Sequence, residues 1–201
     1  MFIQFILGKA ADRAALKESF ARWATELGPG AGGWLGSTAG IAADGTFVAT
    51  AMFDSAEAAR RNSERPEQGQ WWSRTAAAFA GEPTFVDCTH CGTVGEGATP
   101  AAGFVQVMRG TSTDPARAYR LMAESEQQMR DFRPDVLGAV YGYTDDGATL
   151  DVIYFASEAQ AREGERKEPP AEATEMMAEM GQLSKVDQFI DLPEPWHLAP
   201  R

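Results

Sequence analysis

The sequence predicts an α+β protein built from two tandem ferredoxin-like βαββαβ domains, and three observations predict it. A short apolar stretch occurs twice, as FIQFILG over Phe2–Gly8 and FVQVMRG over Phe104–Gly110. Both copies begin with Phe, carry Gln at the third position and close on Gly. Each is followed by signals in the order helix, strand, strand, helix, strand, which is the split β-α-β arrangement. The punctuating residues of the two halves also coincide at nearly constant spacing, as in a duplicated unit. The 201 residues suit two domains better than one. The expected boundaries are 1–91 for the first repeat, 92–103 for a Gly/Ala/Thr-rich linker and 104–201 for the second.

In chain order, Phe2–Leu7 is apolar on both sides, as a strand covered on both faces should be. Asp12 is placed to cap a helix that runs to about Leu27, with Leu16, Phe20 and Trp23 on one face, and Gly28-Pro29-Gly30 stops it. Trp34–Ile41 and Thr46–Phe53 read as a hairpin around Ala43-Asp44-Gly45. Ser55 caps a second helix, interrupted near Pro66 and resuming through Trp71–Phe79, and Thr84–Cys88 closes the unit. In the second half Asp114 falls where Asp12 does, Asp146-Gly147 where Asp44-Gly45 does, Ser157 where Ser55 does and Arg162 where Arg60 does. After a two-residue insertion, Phe189 and Asp191 repeat Phe85 and Asp87. A sheet with helices on one face leaves the other bare, so the two sheets are expected to pack face to face as an intramolecular pseudo-dimeric α/β barrel.

Composition narrows the function classes. A hydrophobic fraction of 44% supports a core, and a net charge of −11 repels nucleic acid and anionic membrane surfaces. No stretch approaches the roughly 20 apolar residues of a membrane helix. The opening segment lacks the basic start of a leader and reads as a strand. Two cysteines are too few for a secreted disulfide scaffold, so a cytoplasmic location is expected. Cys88-Thr89-His90-Cys91 offers two thiolates, but a structural zinc needs four ligands and no second pair exists. No metal is expected, and the pair reads as thiols or an occasional disulfide. REGERKE over Arg162–Glu168 reads as a solvated helix face with i,i+4 ion pairs. Asp151, between Leu150 and Val152, reads as an edge position of a strand.

The most unusual stretch is Asn62–Trp72, NSERPEQGQWW. It gathers an Arg, amides and two indoles around a helix break. In one reading Trp72 or Trp71 walls a pocket in which Arg65 or Gln68 meets a polar or enolate oxygen. In the other, Pro66 and Gly69 shape the break and one Trp packs in the core. Adjacent helical side chains diverge by about 100°, which implies that only one of the two indoles faces a given pocket. Gln4 and Gln106 sit mid-strand among apolar neighbours, where an unpaired amide costs about 1–3 kcal/mol. They bond across the pseudo-dimer, cap an edge or orient a substrate oxygen. Tyr141 and Tyr143 have the spacing that puts both on one sheet face, as rim residues or as donors to a quinone-like oxygen. Repeat 1 holds Trp23, Trp34, Trp71 and Trp72 while every tyrosine lies in repeat 2, so two pockets would not be equivalent. The Trp-rich half is the first place to expect a ligand.

The central amide of the first strand, together with Phe53-Asp54-Ser55-Ala56-Glu57-Ala58-Ala59 and Phe155-Ala156-Ser157-Glu158-Ala159-Gln160-Ala161, resembles the dimeric α/β-barrel superfamily. The closest resemblance is to its antibiotic-biosynthesis-monooxygenase branch. That resemblance implies a small aromatic or polycyclic ligand, and for some members oxygenation without metal or flavin, so no cofactor. Others degrade haem, cyclise polyketides or have no known activity, and fold alone does not choose among them. The oxygenases often use an Asn on the first strand and a Trp in the second helical region. Here Gln4 and Gln106 stand at the strand position. The haem-degrading members need a helix His, and neither His90 nor His197 falls on an expected helix. The resemblance points to Trp72, and with the reading of Asn62–Trp72 and of the strand amide the candidate catalytic residues are Trp72, Gln4 and Arg65. Asn62, Gln68, Trp71, Gln106, Tyr141 and Tyr143 are then candidate substrate contacts. A non-catalytic small-molecule binder of the same fold is the alternative. The chain is expected as a monomer that is its own pseudo-dimer, with further homodimerisation open.

Overall fold

Strand β1 (Phe2–Lys9) leads into helix α1 (Arg13–Glu26), and Asp12 caps that helix by accepting from the Ala15 amide at 3.0 Å. The hairpin β2 (Trp34–Ile41) and β3 (Thr46–Phe53) follows, its turn closed by Gly45 at φ 87°. This left-handed conformation favours glycine. Helices α2 (Ala56–Ser63) and α3 (Pro66–Ala76) come next, then β4 (Thr84–Cys88). Pro66 takes the first turn of α3, where its missing N–H costs nothing. The second helical element is therefore two helices, and the later one starts at Pro66 rather than near Trp71. The computed structural model describes residues 1–200, with the backbone alone at position 172.

The second half repeats the plan. It comprises β5 (His90–Gly95), β6 (Phe104–Ser112), α4 (Pro115–Glu124), α5 (Glu126–Phe132), β7 (Val136–Tyr143) and β8 (Ala148–Phe155). It ends in α6 (Glu158–Gly164), α7 (Ala171–Leu183), β9 (Ser184–Leu192) and β10 (Trp196–Leu198). Asp114 and Ser157 repeat the caps of Asp12 and Ser55, accepting from the amides of Arg117 at 2.9 Å and Gln160 at 3.4 Å. Gly147, at φ 96°, repeats Gly45.

Two five-stranded antiparallel sheets result, ordered β10-β2-β3-β1-β4 and β5-β7-β8-β6-β9. Four strands of each follow the expected ferredoxin-like order. The fifth adds to the free edge of the hairpin's first strand, β2 in one sheet and β7 in the other, covering backbone groups that would otherwise stay unpaired. One of these fifth strands straddles the expected end of the first repeat and the linker, and the other comes from the end of the expected second repeat. His90–Gly95 pairs with β7, so strand reaches into the segment 92–103. Trp196–Leu198 pairs with β2. The chain accordingly divides into one unit of Met1–Asp87 with the segment from Pro195 onward, and a second of Cys88–Glu194. Asp151 is not at an edge: β8 lies between β7 and β6, and Asp151 faces Tyr141 on one side and Met108 on the other.

In the first unit, Ile6, Leu16, Phe20, Ala39, Phe47 and Phe79 pack the helix-covered face of the sheet. Ile3, Phe5 and Val48, which alternate to the opposite face, are buried too, as an apolar strand without alternation requires. Among the described residues no helix is long and apolar enough to cross a membrane.

Candidate functional site

The first unit holds a cavity of about 490 Å³ between its sheet and its helices. Alternation on β1 turns Phe2 and Gln4 to the helix side, opposite Phe53 and Ala51 of β3, and these residues form its floor. Phe20 and Trp23 of α1, Asn62 of α2, and Gln68, Trp71 and Trp72 of α3 form its roof, and Phe85 and Asp87 of β4 close one side. Seven aromatic rings therefore surround a few polar groups, the usual make-up of a small-molecule site.

Both indoles of the Trp pair line the cavity, against the expectation that one would. Their ring centroids lie 5.7 Å apart, and their planes diverge by 52°. Trp71 turns toward α1, edge-on to Phe20 at 5.4 Å, with its Nε1 donating to the Ser19 carbonyl at 3.2 Å. Trp72 turns toward β4, against Phe85 at 4.8 Å. An indole reaches far enough from the helix axis that the angular divergence spreads the two rings along one wall instead of separating them.

The polar groups are fixed by partners. Gln4 Nε2 donates to Asp87 Oδ1 at 2.7 Å, across adjacent strands of its own sheet. This settles how Gln4 is satisfied, since the bond is to a carboxylate on the cavity wall. Gln68 Oε1 accepts from Trp23 Nε1 at 2.6 Å, leaving the amide –NH2 as the group with which it could meet a ligand. Asn62 is 7% exposed and accepts from Arg65 Nη1 at 2.9 Å.

Arg65 lies outside the lining. Its guanidinium also donates to the Leu27 carbonyl at 3.1 Å and to Glu67 at 2.9 Å, tying the end of α1 to the start of α3. Geometry makes Arg65 a brace for Asn62 rather than a group that touches substrate. Arg65→Ala would leave two buried acceptors without a donor, so it is expected to cost about 1–3 kcal/mol in urea unfolding. Ligand-induced quenching of Trp fluorescence should survive in that variant.

Gln106, Tyr141 and Tyr143 belong to the second unit. Gln106 repeats the Gln4 bond, donating to Asp191 Oδ1 at 3.0 Å and to Glu165 at 3.2 Å. There Arg162 also binds Asp191, Glu158 and Glu165, which closes the cluster with charge. In the first unit Arg60, the equivalent of Arg162, pairs instead with Glu64 at 2.6 Å and stands on the cavity lining. The same Gln–Asp pair is thus sealed in one copy and open to a cavity in the other. Tyr141 and Tyr143 line a separate cavity of the second unit. Burial pushes the Tyr141 phenol up to about 12 and raises Tyr143 as well.

No family model matches the chain, and no curated protein matches it in sequence. Solved structures do match in fold. A candidate monooxygenase from Lactobacillus acidophilus superposes with a TM-score of 0.67 at 11% identity, over 98% of this chain and 99% of that one. The chain has the fold of antibiotic-biosynthesis-monooxygenase-like proteins. An anthrone oxidase-like protein matches with a TM-score of 0.60 at 12% identity, over 98% of this chain and 88% of that one. A ferredoxin-fold protein from Listeria monocytogenes, related to antibiotic biosynthesis monooxygenases, matches with a TM-score of 0.51 at 10% identity, over 100% and 95% of the two chains.

Of the residues singled out from the sequence, the structure brings Gln4, Asn62, Gln68, Trp71 and Trp72 to one cavity. Asp87 and Phe85 were missed as site residues. Their signal was present, since both recur as Asp191 and Phe189 across a two-residue insertion. The Cys88–Cys91 segment lies at the turn from β4 to β5, with Cys91 Sγ donating to the Cys88 carbonyl at 3.1 Å. Among the described residues no three His, Cys, Asp or Glu side chains converge as metal ligands.

Proposed function

We propose that the first unit binds a flat aromatic molecule and acts on it as a cofactor-independent oxygenase. The observation that carries this is the Gln4–Asp87 pair opening onto an aromatic-walled cavity. Gln4 holds one carboxylate oxygen, which leaves the other as an acceptor for a proton from a phenol or an activated methylene. Trp72 and Trp71 hold the plane of the rings, and Asn62 and Gln68 supply amide donors where negative charge develops on the substrate oxygen. For a methylene between aryl rings, Asp87 takes one proton and the resulting anion gives electrons to O2. One oxygen atom becomes the product carbonyl and the other leaves as water, which accounts for both protons of the methylene. The anthrone oxidase-like neighbour supports trying this substrate class first. We place the protein in the cytoplasm, on its acidity and cysteine usage.

The test is oxygen uptake by metal-free protein with an anthrone. Asp87→Asn should lower turnover by about 10²-fold or more while saturable quenching of Trp fluorescence persists. Trp72→Ala should weaken the quenching itself. Uptake no faster than buffer would rule out the oxygenase. A second reading, binding without chemistry, is favoured by a lining whose ionisable side chains, among the described residues, are Asp87 and Arg60 alone. Quenching without uptake would establish it.

A further inference from the structure

The second unit has a cavity of its own, about 350 Å³, between its sheet and helices α4, α5 and α7. Six methionines line it: Met108, Met122, Met129, Met176, Met177 and Met180. Flexible thioethers make an apolar wall that adapts to its contents. Into this wall the sheet projects a carboxyl group. Tyr143 Oη donates to Asp151 Oδ1 at 3.1 Å, and both residues line the cavity. Ser184 Oγ, on the same lining, is buried with no hydrogen-bond partner among the described residues.

This cavity overlaps the repeat of the first, since Met108, Met122, Ala139 and Ile153 stand where Ile6, Phe20, Ser37 and Ala51 line the other, but it reaches further under the sheet's centre. In the register that aligns Asp12 with Asp114, Asp151 corresponds to Ala49, Tyr141 to Ala39, Tyr143 to Ile41 and Met108 to Ile6. In the first unit Ala39 and Ala49 are buried in core packed by Phe20, Phe47 and Phe79, and only Ile6 of the four also reaches that unit's cavity. The second unit has exchanged aromatic core for methionines and placed an acid and a phenol where aliphatic side chains stand in the other copy.

We infer that this cavity is a second binding site, for an uncharged apolar molecule carrying one hydroxyl, which donates to Asp151 beside Tyr143. A carboxyl in such surroundings is costly unless its acceptor sites are filled, and Tyr143 fills one. An anionic ligand would meet Asp151. A cationic one would meet Arg130, Arg133 and Lys185, which also stand on the lining. A neutral O–H donor satisfies the carboxylate without either conflict, and the methionines take the apolar remainder.

Desolvation pushes the Asp151 carboxyl up to about 7, partly offset by the Tyr143 bond. Tyr143 on β7 bonds it, and the other polar groups on the lining are Tyr141 on β7, Arg130 on α5, Arg133 just after α5, Thr149 on β8 and Lys185 on β9, while α7 contributes methionines and Ser184 lies at the start of β9. Tyr119 on α4 and Glu126 on α5 act on Tyr141 from further off, and His90 on β5 lies 6.0 Å from Tyr119. Because the ionised form accepts, binding should strengthen with pH.

The probe is 2-naphthol, with 2-methoxynaphthalene as the control without a donor, followed calorimetrically from pH 6 to 8. For a carboxyl near 7, affinity should rise about tenfold over that range. Asp151→Asn should flatten the pH profile, and Met180→Trp, which fills part of the cavity, should weaken this component. Met176→Phe does the same should Met180→Trp fail to fold. The control should show no pH dependence. In every protein but Met180→Trp all five tryptophans lie in the first unit, so in those proteins quenching separately reports occupancy of the first cavity. A pH-independent affinity, a profile unchanged in Asp151→Asn, or binding unaffected by the filled cavity would overturn the assignment.

Discussion

Asp151→Asn is expected to unfold at higher urea than the parent chain at pH 8, a gain of about 2–4 kcal/mol, with little gain near pH 4. The sign follows from the raised carboxyl. In the unfolded chain Asp151 ionises near the ordinary value of about 3.9, whereas in the folded unit desolvation holds its pKa at about 7. Between those values the folded state binds the extra proton, so stability falls as pH rises through that window and stays low above it. Below about pH 4 both states are protonated and the carboxyl costs little. Asparagine keeps the shape and an oxygen for the Tyr143 hydroxyl at 3.1 Å, and it removes the charge. Urea midpoints of both proteins at pH 4, 6 and 8 decide the matter. Parallel curves would mean that Asp151 titrates as an exposed acid. A chain that keeps a destabilising acid in an apolar cavity, where its other copy has Ala49, is trading stability for something the acid does.

The sequence made the duplication legible because its signals are local. Caps at Asp12 and Asp114 and glycines at Gly45 and Gly147 each act on their own turn, so they survive without knowledge of the fold. That the segment around Trp72 would wall a cavity was legible for a related reason, since its helix break and its two indoles are adjacent in sequence. What escaped was set by pairing between distant segments. Asp87 becomes a site residue only because β4 lies beside β1 and brings it to Gln4. Asp151 looked like an edge because an acid in a strand usually is one. Its place between β7 and β6 depends on strand order, which no window of residues contains. Arg65 is the converse case: its sequence neighbourhood suggested substrate, and in the structure its partners are Leu27, Asn62 and Glu67.

The segment after Glu194 shows the same limit, and it carries the other large expected effect. Trp196→Ala should lower the stability of the first unit by about 2–4 kcal/mol, somewhat less than the cost of truncating a fully buried Trp. Three residues after a proline give no periodicity to read, yet β10 pairs Trp196 with Ala39 and Leu198 with Ser37. The half-buried indole lies 6.4 Å from Phe20 and 6.1 Å from Phe47, so its loss opens a hole in the aromatic core beneath α1. Leu198 lines the first cavity, which ties that cavity to a strand supplied from beyond the second unit. Four tryptophans remain in the variant, all in the first unit, and every tyrosine lies in the second. Indole emission therefore follows one unit and far-UV circular dichroism follows both. In urea the Trp-monitored midpoint should fall while the dichroism curve splits, its later step staying at the parent value. Coincident curves shifted together would mean that the two units unfold as one, and an unshifted Trp midpoint would mean that β10 contributes nothing to the sheet it joins.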